Sequence, residues 1–488
     1  MLKHLHIIGI CGTAMAGIAA LAREAGWRVT GSDAGVYPPM SDFLAGLAIP
    51  VAEGFGAGNL TPAPDLVVVG NAISRGNPEL EALLDSGLPY VSGPEWLQTH
   101  VLQGRHPVVV TGTHGKTTTT SLMARVWEEA GWGPGFLIGG IPLDFGFGAR
   151  APQGPWIVIE GDEYDTAFWD KRPKFLHYRP KTLILHNLEY DHADIYPDLE
   201  AIRTQFRLLL RTVPASGLVL ANGDDPEIEA LLTHAHSRVI RYGLDESRTA
   251  GLPESRPRAG GEGGSPPSRQ FTARLDQADG RVWTVARDGE ALFTVTWNQT
   301  GRHNVMNGLA VAAAALCHGM DPARVRDGLS AFRGVARRLQ QRFEIQGVTV
   351  YDDFAHHPTA IATTLRGLRA SVGGDRIWVI LEPRSNTMRR RVHQERLAAA
   401  FEAADRVILA RPAARGLPAE ELLDVDSIVA TINRERPLSG NEPRALVVEG
   451  AAETVAFLTG RVLPGDRLVV MSNGGFDGIH ERLRSLLS

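Results

Sequence analysis

Short apolar runs alternate with helical stretches in the first part of the chain, and most of these runs end in glycine or in polar side chains. The pattern predicts a helix at 18–25, ended by Gly26, and strands at 6–8, 28–33, 65–71 and 88–92. This alternation is typical of parallel sheets whose strands are joined by helices. We therefore expect a Rossmann-like domain at residues 1–106.

A second series of apolar runs occupies the middle of the chain. It predicts a helix at 121–130 and strands at 108–110, 156–159, 182–186 and 218–221. Alternating segments at 270–275, 281–286 and 292–297 are typical of antiparallel strands added to that sheet. The stretch at about 248–269 is rich in Gly, Pro and Ser and predicts a flexible surface loop without a catalytic role. We expect a central ATPase-type domain at 107–333, mostly parallel, with antiparallel strands appended.

The last third of the chain returns to alternating strands and helices. An Ala-rich helix is predicted at 308–318, a further helix runs to Leu368, and strands are predicted at 348–351, 376–381, 405–410, 444–449 and 467–471. The Ala-rich helix ends the central domain, and the elements after it predict a second Rossmann-like domain at 334–488. The whole chain is therefore expected to be an α/β protein of three domains.

Composition narrows the class of protein without naming an activity. A net charge of -5 gives no indication of nucleic acid or an anionic membrane as a partner. Cys11 and Cys317 are the only cysteines, which fits a reducing cytosol and argues against a disulfide framework or a metal cluster. The N-terminus has no signal-peptide pattern, and no apolar run approaches the roughly 18 residues of a membrane-spanning helix. We expect a cytoplasmic enzyme that is a monomer or a weak dimer.

The segment 108–119 is the strongest chemical signal. An apolar strand runs into a glycine-rich turn that ends in Gly115-Lys116-Thr117 and opens a helix, which is the context that a phosphate-binding loop needs. Lys116 can reach the terminal phosphates, and the Thr117 hydroxyl can bind Mg2+. Val110 stands where the usual motif has its first glycine, so an ordinary glycine-rich turn is the alternative. The Lys-Thr pair after a strand favours a bound nucleoside triphosphate.

Polar clusters follow three of the predicted central strands, at 160–165, 187–192 and 222–225. If these strands are parallel, the clusters meet at one edge of the sheet, where ligands bind in open α/β folds. Carboxylates and histidine there suit a nucleotide-bound Mg2+, and we expect Glu160 and His192 to act in this way. For Asp224 and Asp225, ahead of a proline, helix capping and turn formation are favoured instead.

Other candidates are weaker and leave alternatives open. The turn at 9–17, with Asp33 at the end of the next strand, resembles a dinucleotide-binding turn, but Cys11 and Ala14 replace two of its glycines. It predicts a diphosphate site, or else a tight turn without a ligand. His303, Asn304 and Asn307 open a predicted helix and either cap it or reach a base, and capping is favoured. His356 and His357 are adjacent on a turn and point apart, which argues against a metal site there.

Five separated motifs together resemble the Mur ligase family, the ATP-dependent amide-forming enzymes of peptidoglycan synthesis. The motifs are Thr-Gly-Thr-His-Gly-Lys-Thr at 111–117, Glu-Gly-Asp-Glu at 160–163, Asn-x-Glu-x-Asp-His at 187–192, His-Asn-x-x-Asn at 303–307 and Asp-Asp-Phe-Ala-His-His-Pro at 352–358. The phosphate loop without its first glycine is this family's form. The resemblance covers almost the whole chain.

The resemblance implies roles for particular residues. Lys116, Glu160 and His192 would be catalytic, and Thr117, Glu160 and His192 would hold one or two Mg2+ ions. The ATP-binding residues would be Gly112, Thr113, His114, Gly115, Lys116, Thr117, Thr118, His303, Asn304, Arg337 and Asp352. The UDP-sugar would lie against Gly12, Thr13, Ala14, Met15, Ser32 and Asp33. Arg384, Asn386 and Arg389 are expected to bind peptide carboxylates, since arginine pairs them bidentately; a solvated basic face at 389–391 is the alternative.

Three segments bear on the incoming amine. Residues 37–41, 382–388 and 471–480 resemble the corresponding segments of one branch of the Mur ligase family. The enzymes of that branch join the recycled tripeptide L-alanyl-γ-D-glutamyl-meso-diaminopimelate to UDP-N-acetylmuramate. The branch that adds L-alanine is the alternative, and an NAD-dependent oxidoreductase or a non-catalytic nucleotide-binding regulator are more distant ones. Many family members bind a second metal through a carbamylated lysine. No lysine follows Lys181 here, and Phe206 or Arg207 lies near the corresponding spacing.

Overall fold

The computed structural model describes residues 2–37, 40–245, 269–436 and 442–488, and the strands of these residues form three sheets. The expected α/β architecture of three domains is confirmed. The flexible loop predicted at 248–269 lies outside the described residues except for Arg269. None of the helices in the described ranges has the length and apolar character needed to cross a membrane.

The first sheet has five parallel strands in the order β3-β2-β1-β4-β5. Its elements are β1 (His4–Ile8), α1 (Thr13–Glu24), β2 (Arg28–Asp33), α2 (Met40–Gly46), β3 (Val51–Glu53), β4 (Leu66–Val69), α3 (Pro78–Ser86), β5 (Tyr90–Ser92) and α4 (Gly93–Leu97). Strand β3 is only three residues long and was not predicted. The other four strands lie where the apolar runs predicted them.

The second sheet has ten strands in the order β15-β14-β13-β12-β11-β10-β6-β9-β7-β8. Its elements are β6 (His106–Thr111), α5 (Lys116–Glu129), β7 (Gly135–Leu137), β8 (Ala149–Arg150), β9 (Trp156–Glu160), β10 (Thr182–Leu185), α6 (Leu199–Thr212), β11 (Leu218–Asn222), α7 (Pro226–Leu231), β12 (Arg238–Leu244), β13 (Phe271–Leu275), β14 (Val282–Arg287), β15 (Glu290–Thr296), α8 (Arg302–Cys317) and α9 (Pro322–Ser330). Pairing is parallel from β7 through β13, and it is antiparallel between β7 and β8 and from β13 to β15. The appended antiparallel strands agree with the prediction, whereas β7, β8 and β12 were not predicted.

The third sheet has six strands in the order β16-β17-β21-β18-β19-β20, all parallel except the β16–β17 pair. Its elements are β16 (Gln340–Ile345), β17 (Val348–Asp353), α10 (Pro358–Val372), β18 (Ile377–Leu381), α11 (Gln394–Ala400), β19 (Arg406–Ala410), α12 (Val425–Glu435), β20 (Ala445–Val448), α13 (Ala451–Leu458), β21 (Arg467–Met471) and α14 (Ile479–Leu487). Strand β16 was not predicted.

The central sheet is covered on both faces. Along β6, Val108 and Val110 pack on the face that carries α5, α8 and α9, whereas Val109 packs on the opposite face. Alternating orientation along a strand explains this division. The Val109 face is continuous with the core around α1, and a Cβ added at Gly17 would meet the Leu137 side chain at 2.5 Å. The first domain is therefore packed directly against the central one.

Three helices begin earlier than predicted. Helix α1 starts at Thr13 rather than at 18, α5 at Lys116 rather than at 121, and α8 at Arg302 rather than at 308. The first turns of α5 and α8 hold Thr, His and Asn, which have modest helix propensity, so the apolar pattern does not reveal them. The first turn of α1 falls within the glycine-rich segment 9–17, which the sequence predicts as a turn. The residues before these helices are glycines, and no side chain caps the backbone amides of the first turns. The first-turn amides of α1 and α5 can therefore meet an anion.

Candidate functional site

A cavity of about 670 Å3 lies between the carboxyl edge of the central sheet and the C-terminal domain. The parallel strands β6, β9 and β10 bring their following residues together there, as the polar clusters predicted. Its lining includes Thr113, His114, Gly115, Lys116, Thr117, Thr118, Glu160, His192, His303, Asn304, Arg338, His356, Arg384 and Asn386. The phosphate loop and residues of the C-terminal domain therefore face the same space.

Asn187 fixes the phosphate loop from the end of β10. Its side-chain oxygen accepts from the His114 amide at 2.8 Å, its amide group donates to the His114 carbonyl at 3.2 Å, and its own carbonyl accepts from the Thr113 amide. Gly115 adopts a φ of +87°, which glycine reaches without the strain a side chain would add. The loop is thus held in a fixed shape by the neighbouring strand.

Lys116 lies in the loop with its charge satisfied by protein groups. Its Nζ donates to the Gly112 carbonyl at 2.6 Å and to the Glu163 carboxylate at 2.9 Å. Burial opposes the charged form, but Glu163 more than compensates and raises the pKa of Lys116 above its ordinary value. Lys116 is therefore a cation at neutral pH, next to the space expected for phosphates.

Thr117 and Glu160 form a pair of oxygen donors at the cavity. The Thr117 hydroxyl donates to Glu160 Oε1 at 2.9 Å, and the other Glu160 oxygen accepts from the Gly139 amide at 2.7 Å. Arg338 also donates to the Thr117 hydroxyl at 3.1 Å. A hydroxyl and a carboxylate are ligands that Mg2+ prefers, so these residues fit the ion that the sequence predicted.

His192 occupies the other side of Lys116. Its Nε2 is 3.8 Å from Glu163 Oε2, and its backbone has a φ of +56°, an uncommon conformation for a residue with a side chain. The neighbouring Asp162 is engaged by Lys174, which outweighs burial and lowers the pKa of Asp162 to about 2. His192 thus presents an imidazole to the cavity, whereas Asp162 is already paired.

The favoured interpretation of Asn304 and Asn307 as helix caps is wrong. Gly301 precedes the helix, and Asn304 lies inside the first turn, where its side-chain amide donates to the Thr300 carbonyl at 2.8 Å. Asn307 is buried one turn further on, against Gly115 of the phosphate loop. His303 lines the cavity, and burial lowers its pKa to about 4, so it is a neutral imidazole.

Arg337 and Asp352 lie outside the cavity lining in this structure. Arg337 Nε is 3.5 Å from Asp352 Oδ2, and its Nη2 donates to the carbonyls of Ser472 and Gly474. The adjacent residues Arg338 and Asp353 line the cavity instead. The ATP-binding role that the sequence predicted for Arg337 and Asp352 stays a prediction.

The segment after β18 supplies the residues predicted to bind the peptide. Arg384 lines the cavity and is half-exposed, with Nη1 3.8 Å from Glu382 Oε1. Asn386 donates to Asp194 Oδ2 of the central domain at 2.9 Å. Arg389 is buried and donates to the carbonyls of Ala413 and Ala414 and to Asn386, so it is not part of a solvated face. In this structure Arg389 supports Asn386, and direct peptide binding by Arg389 stays a prediction.

The predicted UDP-sugar turn keeps its glycine-rich geometry. Gly12 precedes α1, and Thr13, Ala14 and Met15 form its first turn. Asp33 accepts from the amides of Cys11 and Gly35 at 2.9 Å each. Ser32 is buried and donates to Glu79, and Met15 is also buried. These two side chains therefore support the turn, and contact of the UDP-sugar with these six residues stays a prediction.

Neither residue at the spacing of the carbamylated lysine replaces that ligand. Phe206 is fully buried in the core, and Arg207 pairs with Glu200 on the surface of α6. Asp225 caps α7 by accepting from the Glu227 and Ile228 amides, as predicted. A second metal ion would therefore be bound through His192, and neither Phe206 nor Arg207 would supply a ligand.

Sequence reasoning missed three residues that organise the site. Glu163, Asn187 and Arg338 were not assigned roles, although Glu163 and Asn187 lie inside the recognised motifs. Their contacts join segments that are 47, 73 and 221 positions apart in the chain. The place of Glu163 and Asn187 after β9 and β10 could have suggested them, whereas Arg338, which lies ahead of β16, gave no such signal.

The chain matches three family models in succession. They are described as the Mur ligase family catalytic domain at residues 4–105, the Mur ligase middle domain at 110–315 and the Mur ligase glutamate ligase domain at 337–474. Together they cover most of the chain.

Individual relatives cover it almost end to end. The chain is 43% identical over 481 residues, 98% of its length and 97% of the relative's, to an Escherichia coli protein named UDP-N-acetylmuramate--L-alanyl-gamma-D-glutamyl-meso-2,6-diaminoheptandioate ligase. It is 32% identical to a UDP-N-acetylmuramate--L-alanine ligase of Desulfosudis oleivorans, over 96% of the chain and 95% of the relative. A crystal structure of a murein peptide ligase from Psychrobacter arcticus is 38% identical and matches with a TM-score of 0.73 over 99% of this chain and 98% of that one.

Proposed function

This chain belongs to the Mur ligase family, and we propose that it uses ATP to join the tripeptide L-alanyl-γ-D-glutamyl-meso-diaminopimelate to UDP-N-acetylmuramate. The observation that carries the choice of amine is the 43% identity to a ligase named for this tripeptide, against 32% to one named for L-alanine. The reaction forms one amide bond and serves the reuse of peptidoglycan fragments.

The chemistry requires activation of a carboxylate. The carboxylate oxygen of UDP-N-acetylmuramate attacks the γ-phosphorus of ATP, which gives an acyl phosphate and ADP. The free amine of the tripeptide then attacks the acyl carbon, phosphate leaves with the electron pair of the C–O bond, and the amine loses a proton. Catalysis of phosphoryl transfer depends mainly on alignment and on neutralising charge.

The residues around the cavity suit the binding of ATP and of the peptide. Lys116, a cation in the phosphate loop, is suited to the β- and γ-phosphates. The free amides at the start of α5 add to the positive potential there. His303 and Asn304 border the side of the cavity proposed for adenine, and Arg384 and Asn386 border the side proposed for the peptide.

The family implies Mg2+ with the nucleotide. Thr117 and Glu160 would hold one ion together with phosphate oxygens and water, and His192 would hold a second if two are bound. When bound, the ion neutralises negative charge on the reacting phosphates. ATP as phosphoryl donor and the two free thiols, Cys11 and Cys317, support a cytoplasmic setting.

Phosphate release from the purified protein tests the proposal. We expect release only when ATP, Mg2+, UDP-N-acetylmuramate and an amine are all present, with kcat/KM for the tripeptide at least about 100-fold above that for L-alanine. Equal values for the two amines would favour the L-alanine ligase instead. Tetrapeptide and pentapeptide in the same assay would define the length of peptide that the site accepts.

A further inference from the structure

Glu189 lies where the phosphate loop meets the C-terminal domain. It follows β10 and is three residues before His192. Its backbone amide donates to the Thr113 hydroxyl at 2.8 Å, and that hydroxyl donates to the Glu189 carbonyl at 3.3 Å. The main chain of Glu189 is therefore tied to the phosphate loop.

The side chain of Glu189 reaches in the other direction, to the C-terminal domain. Its Oε2 accepts from the Thr359 hydroxyl, in the first turn of α10, at 2.8 Å and from Arg396 Nη2, in α11, at 3.0 Å. One oxygen thus holds two helices of the domain whose residues border the amine side of the cavity. Hydrogen bonds to an ionised acceptor are stronger than neutral ones.

Two imidazoles flank the same carboxylate. His114 Nε2 of the phosphate loop is 3.7 Å from Glu189 Oε1, and His357 Nε2 is 3.9 Å from Oε2. Both nitrogens are buried and have no hydrogen-bond partner among the described residues. A shift of less than 1 Å between the domains would bring His357 within hydrogen-bond distance of Glu189, and a movement of similar size by the His114 side chain within the central domain would do the same for His114.

The spacing of these three side chains also suits a transition metal, but their hydrogen bonds argue against one. His357 Nδ1 accepts from the Thr359 amide at 3.2 Å, so the proton of the neutral ring is on Nε2, the atom that a metal would need. Arg396 places a positive charge on the carboxylate as well. The cluster is suited to two N–H donors on one carboxylate.

We propose that Glu189 is a positioning residue that couples docking of the C-terminal domain to the phosphate loop. It acts through Thr113 and His114 on the loop, and through Thr359, His357 and Arg396 on the domain. The proposal rests on the proposed ligase reaction, because its test measures kcat and KM of that reaction. It assigns no contact with a substrate to Glu189.

Kinetics of Glu189→Gln, Glu189→Ala and Arg396→Met test the proposal. We expect Glu189→Ala to lower kcat by about tenfold or more and to raise KM for the tripeptide, while the Kd of a non-hydrolysable ATP analogue changes by less than about twofold. Glu189→Gln keeps an oxygen that accepts from Thr359 and should retain part of the activity. A residue needed only for folding would instead lower the active fraction and leave kcat per active site and KM unchanged.

A double-mutant cycle separates coupling from general damage. If Glu189 acts through Arg396, the double variant Glu189→Ala/Arg396→Met should be no slower than Glu189→Ala alone, within about twofold, because alanine leaves no oxygen for Arg396 to bind. The proposal would be overturned if the effects of the two substitutions on kcat multiplied in the double variant. It would also be overturned if kcat of Glu189→Ala were within about twofold of wild type. Cobalt titration gives a further check, because a tetrahedral Co2+ absorption band that Glu189→Gln abolishes would assign the cluster to a metal and overturn it.

Arg281→Met is the matched control. Arg281, just before β14, donates to the Ser371 hydroxyl at the end of α10 at 2.6 Å, so it also joins the central and C-terminal domains, but away from the phosphate loop. We expect kcat and KM to be unchanged in this variant. An equal loss would show that any weakened interdomain contact slows the enzyme and would overturn a specific role for Glu189. Absence of ligase activity in the wild-type protein would instead refute the proposed function itself.

Discussion

At the scale of single residues, Lys116 carries the clearest prediction. Lys116→Ala removes the cation that faces the expected phosphates, and we expect kcat to fall by about 10^3-fold or more, as for loss of other groups that stabilise transition-state charge. Phosphate release under saturating substrates measures the effect. Lys181→Ala is the control, because Lys181 is exposed, at the opposite end of β10. Retained activity in Lys116→Ala would refute the assignment of the loop.

Glu163 gives a second prediction at this scale, because it pairs with Lys116 in a buried position. Removing one partner of a buried ion pair leaves an uncompensated charge and costs about 3–5 kcal/mol. We expect Glu163→Gln to lower the Tm of the ATP-free protein. An ATP analogue with Mg2+ should recover much of the loss, since its phosphates supply the missing negative charge. A Tm deficit that the analogue does not reduce would contradict this account of the pair.

The sequence identified residues whose chemistry is visible in a short motif, and it missed those whose role depends on a distant partner. Lys116, Thr117 and Glu160 come together as expected. Glu163 was overlooked because it is one of several acidic residues after β9, and only the fold shows which of them faces Lys116. Arg389 was expected to bind the peptide, with a solvated face as the alternative, and the fold excludes that alternative because Arg389 is buried and donates to the carbonyls of Ala413 and Ala414.

At the scale of elements, the start of α5 depends on Gly115. A Cβ at this position would lie 2.5 Å from Asn307 Oδ1 and would be strained at a φ of +87°. Left-handed backbone costs a residue with a side chain about 1–2 kcal/mol, and the clash adds to it, so we expect Gly115→Ala to weaken binding of an ATP analogue by about tenfold or more. Calorimetric titration measures the change.

Gly131→Ala provides the matched comparison for that substitution. Gly131 follows the other end of α5, has a φ of +78° and has nothing within 4 Å of the added Cβ. It should lower stability through the same backbone strain while leaving the Kd of the analogue unchanged. If both variants lost affinity equally, the effect would come from α5 as a whole and not from the phosphate loop.

Long apolar strands were predictable as elements, whereas helix starts and short edge strands were not. Strands β6, β9 and β10 are apolar because they are buried on both faces, so composition alone marks them. Strand β3 is a partly exposed edge of three residues, and β16 carries mostly polar residues, so neither produces an apolar run. Helices α5 and α8 begin with polar turns behind glycine, and α1 begins inside a glycine-rich segment, so the pattern placed all three starts five or six residues late.

At the scale of the whole molecule, five buried or half-buried histidines predict sensitivity to acid. Burial lowers the pKa of each below the ordinary value of about 6.5, to about 3 or 4. They are His106, His186, His303, His357 and His393. Between about pH 6.5 and 4 the unfolded chain binds protons that the folded chain does not, so the free energy of unfolding falls as the pH falls. Each such histidine contributes a slope of up to about 1.4 kcal/mol per pH unit.

Urea unfolding at pH 7.5, 6.0 and 5.0 measures this dependence. His106 lies far from the cavity, at the start of β6, and its Nε2 is 2.9 Å from the Thr182 hydroxyl. Gln in place of His106 keeps a hydrogen-bonding group without a proton to gain, so His106→Gln should make the slope shallower by about one proton. A midpoint that does not change between pH 7.5 and 5.0 would show that the buried histidines do not control stability.

The packing of α5 has a consequence for synthesis on the ribosome. Its apolar face, with Leu122, Met123, Val126 and Trp127, packs against α8 and α9, and α9 ends at Ser330. At about 5–20 residues per second, those helices emerge roughly 10–40 s after α5. During that interval the nascent chain exposes an unpaired apolar helix next to the phosphate loop. A ribosome-associated chaperone that binds exposed apolar segments should therefore raise the soluble yield of this protein. We expect the largest increase when translation is slowed between residues 130 and 330.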